Sequence, residues 1–203
     1  MCGRYSLHAT PEVIALQFSL EAVPEFKRSY NVCPGTDILA IGNDRSGQRR
    51  ARLLRWGAGG KMINARAETL AERPAFRNAF HRFRCLVPAS GFYEWQKTGG
   101  GKRPWYVLPR DSALFALAGI VLLWQGARAI ALVTTDANEL MAPIHDRMPV
   151  IIPPAGCAAW LDAENPHPGA LLRPFPSALM QAHAVSARVN APANDDAALL
   201  EPI

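Results

Sequence analysis

The chain has 203 residues, of which 49% are hydrophobic, and its 22 basic and 17 acidic side chains give a net charge of +5. A chain of this length and composition buries a real core, which excludes an intrinsically disordered protein. The longest apolar run has 12 residues (113–124), short of the ~20 that a membrane-spanning helix needs, and no signal-like segment opens the chain, so we expect a cytosolic protein.

Short apolar runs bounded by turn residues, taken in chain order, predict mostly strands. Helical patterns are few. The predicted helices are 11–18, 69–80 (where Pro74 weakens the pattern) and 154–161, with a short turn at 138–141. The predicted strands are 38–41, 85–88, 105–108, 114–122 and 130–134. No repeat or linker divides the chain, so we expect one α+β domain over residues 1–203, with a mostly antiparallel sheet or barrel core and a few peripheral helices.

The four cysteines, at positions 2, 33, 85 and 157, have neither a CxxC pair nor a zinc-ligand spacing. In a cytosolic chain they are expected to be free thiols. Cys33, Cys85 and Cys157 have apolar neighbours and are interpreted as small core residues. Cys2 differs from them because of its position.

Cys2 follows the initiator Met, and a small second residue usually allows that Met1 to be removed. The new N-terminus would carry an α-amine, which titrates near ~8, two carbons from a thiol, which titrates near ~8.5. Such a pair reacts with an aldehyde twice: the amine forms a Schiff base and the sulfur closes a thiazolidine ring. An uninvolved second residue is the alternative for an isolated Met-Cys start, so the surrounding motifs decide.

Eight segments in a fixed order accompany Cys2. They are CGRY at 2–5, YNVCP at 30–34, RWG at 55–57, INARAET at 63–69, CLVPASGFYEW at 85–95, TTDAN at 134–138, MAPIHDRMP at 141–149 and VSARVN at 185–190. Together they resemble the SRAP family, the SOS response-associated peptidase-like proteins that process abasic sites in DNA. The resemblance runs from residue 2 to about residue 203.

The resemblance implies an abasic-site sensor in DNA repair and the SOS response. After Met1 removal, Cys2 would attack the ring-opened sugar aldehyde of an abasic site in single-stranded DNA and form a thiazolidine crosslink that shields the strand. The implied enzyme activities are Met1 self-cleavage (the family's peptidase label), crosslink reversal and a weak lyase reaction. The partner is then single-stranded DNA, and we expect a monomer that is cytoplasmic and nucleoid-associated.

Three further residues are implied to act with Cys2 in catalysis. Asn64 would hold the Cys2 amine or a sugar oxygen by neutral hydrogen bonds, although an Asn often only stabilises a turn. Glu94 lies between Tyr93 and Trp95, where burial would raise its pKa into the range of a general acid or base, unless it is a structural partner of an arginine. His145 suits proton shuttling or a phosphate contact, although a lone His is usually structural.

The expected DNA contacts follow from what a single strand offers. Phosphates attract arginine and hydroxyl side chains, and exposed bases stack on aromatic rings for ~1–3 kcal/mol per base. The candidates are Arg4, Arg66 and Arg147 with the Thr134 hydroxyl for phosphates, and Trp56 and Trp95 for bases. Both tryptophans could equally be core residues. Arg49, Arg50 and Arg52 are interpreted as a solvated strand face.

No metal or nucleotide cofactor is expected, since the five His are scattered and no Gly-rich phosphate loop follows a strand. Residues 58–63 are shorter than the Trp- and Pro-containing loop usual in the family, which weakens the expectation of base contacts there. Two other functions stay open. One is an N-terminal-nucleophile amidohydrolase, in which the Cys2 amine is the base, and the other is a non-covalent single-stranded DNA-binding module.

Overall fold

Strands are the predominant secondary structure in the computed structural model, which describes residues 2–203. They are β1 (Tyr5–Leu7), β2 (Ser29–Val32), β3 (Asp37–Asn43), β4 (Arg49–Trp56), β5 (Asn64–Arg66), β6 (Arg84–Ala89), β7 (Gly91–Thr98), β8 (Gly101–Pro109), β9 (Phe115–Trp124), β10 (Ala127–Asp136), β11 (Arg147–Pro149) and β12 (Met180–Ala184). All five predicted strand runs fall within or largely within β3, β6, β8, β9 and β10.

The strands form two sheets in one compact domain. The first has the order β12-β8-β7-β1-β2 and is antiparallel throughout. The second has the order β11-β10-β4-β3-β6-β9, and a further antiparallel pairing of β9 with β10 closes five of its strands into a barrel. Parallel pairing is confined to β10 with β4 and β5. The predicted α+β fold with a mostly antiparallel barrel core is confirmed.

The helices lie outside the sheets, at α1 (Pro11–Phe18), α2 (Pro74–Arg82) and α3 (Cys157–Leu161). Helix α1 has the predicted bounds because Thr10 caps it and Pro11 occupies its first turn. The helix predicted over 69–80 is wrong in its start. Proline lacks the N–H that a helix interior needs, so Pro74 takes the first turn of α2, and residues 67–69 form a separate 3₁₀ turn.

The core fills the barrel and the space between the sheets. Its largest fully buried side chains include Trp56, Trp160, Tyr5 and Phe92. A smaller cluster, Tyr93 and Tyr106 with three aliphatic residues from the C-terminal segment, lies on the other side of the first sheet. Within residues 2–203 no helix has the length and apolar character that crossing a membrane requires.

The backbone requires glycine at two positions near the site. A Cβ at Gly91 would lie 2.6 Å from the carbonyl oxygen of Val107, so only glycine allows β7 to pack this tightly beside β8. The loop of residues 57–63 turns back sharply because Gly57 has a φ of +96°, in the left-handed region. This short loop delivers the chain directly from Trp56 to Asn64.

Candidate functional site

The N-terminal strand brings Cys2 alongside β7. Strand β1 pairs with β7 in antiparallel register, Tyr5 opposite Phe92, and the Tyr93 N–H donates to the Arg4 carbonyl oxygen at 3.0 Å. Because the strands run in opposite directions, residues before Arg4 continue past the segment that carries Glu94. Strand pairing therefore places the predicted nucleophile and the predicted acid next to each other.

The Cys2 side chain is fully buried. Burial, and then the nearby Glu94 carboxylate, raise the pKa of the Cys2 thiol above its ordinary value. The thiol is thus protonated at neutral pH in this environment. The expected removal of Met1 concerns a residue outside the described range.

Asn64 holds the Cys2 backbone from the second sheet. It begins β5, which runs parallel to β10 with Asn64 opposite Leu132, and its Nδ2 donates to the Cys2 carbonyl oxygen at 2.8 Å. Its Oδ1 is buried and has no hydrogen-bond partner among the described residues. One end of the amide orients Cys2 and the other end still has an acceptor available.

Glu94 is 2% exposed on β7. Burial raises the pKa of its carboxyl to about 7, and the charge of Asp146 adds to the effect. The carboxyl therefore exchanges its proton near neutrality, as a general acid or base must.

His145 lies in the turn that links β10 to β11. The Gln96 Nε2 donates to the Pro143 carbonyl oxygen at 2.9 Å, which ties this turn to the strand that carries Glu94. The His145 Nδ1 accepts from the Arg147 N–H at 2.9 Å, and burial lowers the pKa of the ring. The imidazole is therefore neutral near pH 7, with Asp146 beside it.

Thr134 lies on the same face of the second sheet as Asn64, two residues beyond the pairing of Leu132 with Asn64. It is fully buried, and its Oγ1 has no hydrogen-bond partner among the described residues. Its contact with a flanking phosphate stays a prediction, and in this structure the hydroxyl is a buried group with unused hydrogen-bonding capacity.

Arg4 and Trp95 form a joint surface. The Arg4 Nη1 donates to the Asn31 Oδ1 at 2.8 Å and to the Val189 carbonyl oxygen at 2.7 Å, and its guanidinium lies 6.0 Å from the Trp95 ring centroid. Trp95 is partly exposed, and its Nε1 donates to the Asn190 Oδ1 at 2.8 Å. These bonds fix both side chains at the edge of the site.

Trp56 is a correction to the predicted base contacts. It is fully buried, its Nε1 donates to the Ile63 carbonyl oxygen at 3.0 Å, and its ring packs 5.4 Å from that of Tyr5. No face of the indole is left for a base, so Trp56 is a core residue, the alternative given from the sequence.

The other two predicted arginines differ in exposure. Arg66 ends β5 and is exposed. Arg147 has a mostly buried guanidinium, bonded to the carboxylates of Glu68 and Asp136 and to the Thr134 carbonyl oxygen. A phosphate contact by Arg147 would first have to displace one of these groups.

Asn31 and the C-terminal segment were given no role from the sequence. The Asn31 Nδ2 donates to the carbonyl oxygens of Val189, Ala191 and Asn194, while its Oδ1 accepts from Arg4. It therefore joins the C-terminal segment to the N-terminal strand. A buried polar residue inside a short strand was the available signal, and its partners lie more than 150 residues away.

The expected free thiols are present at all four cysteines, with Cys33 only half-buried and so not the core residue it was interpreted as. Among the described residues no group of three His, Cys, Asp or Glu side chains is placed to bind a metal ion.

A family model described as SOS response associated peptidase (SRAP) matches residues 1–192 of the chain. The abasic site processing protein YoaM of Bacillus subtilis is 41% identical over 223 aligned positions, which cover 99% of this chain and 98% of that protein. The abasic site processing protein YedK of Escherichia coli is 31% identical over 81% of both chains. A crystal structure from Bacteroides thetaiotaomicron has the same fold, with a TM-score of 0.83 at 24% identity over 100% of both chains.

Proposed function

This chain belongs to the SRAP family, and from that premise we propose that it acts on abasic sites in DNA and captures them covalently through Cys2. The strongest support is the convergence of the buried Cys2, the Asn64 amide on its carbonyl oxygen and the Glu94 carboxyl beside it. These groups come from three separate strands or segments, which a merely structural cysteine does not require.

The proposed chemistry starts when Met1 is hydrolysed off and Cys2 gains a free α-amine. The amine adds to the C1 aldehyde of the ring-opened sugar, and loss of one water gives a Schiff base. The Cys2 sulfur then adds to the imine carbon, its proton passes to the nitrogen, and a thiazolidine ring forms. No oxidant, metal or further co-reactant is needed for this balance.

The pKa shifts favour the amine as the first nucleophile. Because burial raises the pKa of the Cys2 thiol, the sulfur stays protonated and unreactive until the Schiff base has formed. Glu94, with a pKa of about 7, donates the proton that lets water leave the carbinolamine. The thiol proton passes to the nitrogen during ring closure, while the neutral His145, whose Nδ1 accepts from the Arg147 N–H, offers its Nε2–H to a sugar or phosphate oxygen.

Binding of the strand is assigned to the surface residues of the site. Arg4 and Arg66 supply positive charge, and one face of Trp95 is available to stack on a base. Thr134 and the free Oδ1 of Asn64 line the interior, where a sugar hydroxyl would satisfy both. The net charge of +5 adds a general attraction to the polyanion.

The finer activities stay part of the same proposal. Self-removal of Met1, reversal of the crosslink through Glu94 and a weak lyase reaction from the Schiff base all use the groups already described. A monomer that acts on single-stranded DNA in the cytoplasm, at the nucleoid and in the SOS response, is the cellular setting that we propose.

The test is denaturing gel electrophoresis of the protein after mixing with an oligonucleotide that contains one abasic site. Mass spectrometry first confirms that the preparation lacks Met1. We expect a shifted band that survives heat and detergent without borohydride and disappears with Cys2→Ala or with an intact oligonucleotide. Cys33→Ala, which removes a partly exposed thiol elsewhere, should leave the band unchanged.

The two alternatives predict different results. An amidohydrolase would give no shifted band and would turn over a small amide in a Cys2-dependent reaction. A non-covalent binding module would bind intact and abasic strands equally and would be indifferent to Cys2→Ala. Either result overturns covalent capture.

A further inference from the structure

Arg147 lies in an ion-pair cluster that the proposed chemistry does not use. Its Nη1 and Nη2 bond the two oxygens of Glu68 at 2.8 and 2.9 Å, and Nη1 also bonds the Asp136 Oδ1 at 2.6 Å. The remaining Nη2 hydrogen goes to the Thr134 carbonyl oxygen at 2.8 Å. We call Arg147, Glu68 and Asp136 the Arg147 clamp.

The clamp leaves Arg147 without a free N–H group that could donate to a phosphate at the surface. All four Nη hydrogens have acceptors, and the Nε is buried. The Arg147 side chain is 12% exposed, whereas those of Glu68 and Asp136 are 44% and 77% exposed. A strand that approaches from solvent therefore meets the two carboxylates before it meets the guanidinium.

The charge of the clamp is opposite to that of a phosphate-binding site. One guanidinium and two carboxylates sum to a single negative charge, which offsets the positive charge of the neighbouring Arg66, on a protein whose net charge is +5. Repulsion between carboxylate and phosphate extends over about one Debye length, ~8–10 Å at physiological salt, so it covers the neighbouring part of the strand. Such a cluster weakens binding of any strand that has no other anchor.

We propose that Glu68 and Asp136 are specificity-determining residues that compete with DNA phosphates for Arg147. The inference rests on the proposed function, because it requires a strand at this face. An intact strand has no covalent anchor, so its phosphates do not displace the carboxylates of Glu68 and Asp136 from Arg147. A strand held covalently through Cys2 keeps its neighbouring phosphate at a high effective concentration, displaces a carboxylate and gains Arg147 as an additional contact.

The test is the affinity for an intact single strand, which needs no crosslinking chemistry. Fluorescence anisotropy with a labelled oligonucleotide is measured over a range of salt concentrations for Asp136→Asn, Glu68→Gln and the double variant. We expect the double variant to bind about fivefold more tightly and to steepen the slope of log K against log salt by about 0.7, the value of one added phosphate contact on a single strand. Each single variant should give part of this gain.

A matched control separates the clamp from a general charge effect. Asp37 pairs with Arg55 at 3.6 Å and is exposed to a similar degree, so Asp37→Asn makes the same change in net charge as each single variant. It should leave the salt slope unchanged. Adding Arg147→Gln to the double variant should return the salt slope to the wild-type value, because the added phosphate contact is made by Arg147.

The outcomes that overturn the inference are distinct from those that overturn the proposed function. Unchanged affinity and slope in the double variant, or a gain in each single variant equal to that of Asp37→Asn, would exclude competition for Arg147. Weaker binding in Asp136→Asn would show that the carboxylates only position the guanidinium. Failure of the wild type and every variant to bind an intact strand would overturn the inference, whereas the proposed function is overturned only by the absence of the Cys2-dependent crosslink on the denaturing gel.

Discussion

The Arg84 pocket and the Cys2 site are both buried polar regions, and they differ in how completely the protein satisfies them. Arg84 is 6% exposed and donates from Nε to the Trp160 carbonyl oxygen at 2.6 Å and from Nη1 to those of Phe80 and His81 at 2.6 and 2.7 Å. Its Nη2 bonds the Asp162 carbonyl oxygen, and the guanidinium packs over the Trp160 ring. This arginine joins α2, β6 and α3.

The Cys2 site has buried polar atoms that the described residues do not satisfy. They include the Asn64 Oδ1, the Thr134 Oγ1 and the Arg4 Nε. A buried polar group without a partner costs stability, so proteins retain few of them. The comparison indicates that Arg84 serves the fold, whereas the Cys2 site keeps unused hydrogen-bonding capacity for a ligand.

The largest expected effect on stability comes from replacing Arg84, the residue that serves the fold. Arg84→Met removes the donor from four carbonyl oxygens and should lower the free energy of unfolding by about 3 kcal/mol, measured by urea unfolding. Capture of abasic DNA per folded molecule should not change. Arg110→Met, at an exposed arginine that also bonds carbonyl oxygens, is the control and should cost much less. Loss of capture at constant stability would show that Arg84 serves the site as well as the fold.

Titration of Glu94 in the Cys2 site should make the stability of the protein depend on pH. Its folded-state pKa of about 7 lies above the ordinary 4.5, so the folded protein binds more protons between these values and its stability falls as pH rises through that window. The fall from pH 5 to pH 8 should be about 2 kcal/mol larger in the wild type than in Glu94→Gln. Urea unfolding at both pH values measures it.

The same variant should also slow capture, because glutamine has no proton to donate to the departing water. Glu139→Gln, at an exposed carboxylate, should keep both the wild-type pH difference and the wild-type rate. Equal pH profiles for the wild type and Glu94→Gln would show that Glu94 does not titrate in this window.

Thr134 gives the smallest expected change in stability, and the change is expected to stabilise the protein while it impairs capture. Replacing its unsatisfied buried hydroxyl by the isosteric valine should raise the free energy of unfolding by about 1 kcal/mol while it slows capture of abasic DNA. At Thr36, whose Oγ1 donates to the Cys33 carbonyl oxygen, the same change should not stabilise. A destabilised Thr134→Val protein would mean that the hydroxyl has a structural partner after all.

Local features of the chain were predictable because they depend on neighbouring residues. Thr10 and Pro11 define the start of α1 through a cap and a fixed φ, and the apolar runs of β9 and β10 indicate buried strands. The start of α2 was misplaced only because Pro74 was taken as an interruption and not as a first helical residue.

The roles of individual site residues depended on contacts between distant segments. Trp56 and Trp95 each follow a charged residue in the sequence, yet Trp56 is buried against Tyr5 and Trp95 lies at the surface beside Arg4. Asn31 acquires its function from carbonyl oxygens of the C-terminal segment. Periodicity and composition carry no information about such pairings.

The sequence by itself determined the fold class, the family and the chemistry that an N-terminal aminothiol makes available, because these follow from residue order and from bonds within one residue. The tertiary structure decided which polar groups are satisfied and which are free to act. Arg147 shows the reason: Glu68 is 79 residues away from it, and only the packing of β5, β10 and β11 brings the opposing charges within hydrogen-bonding distance.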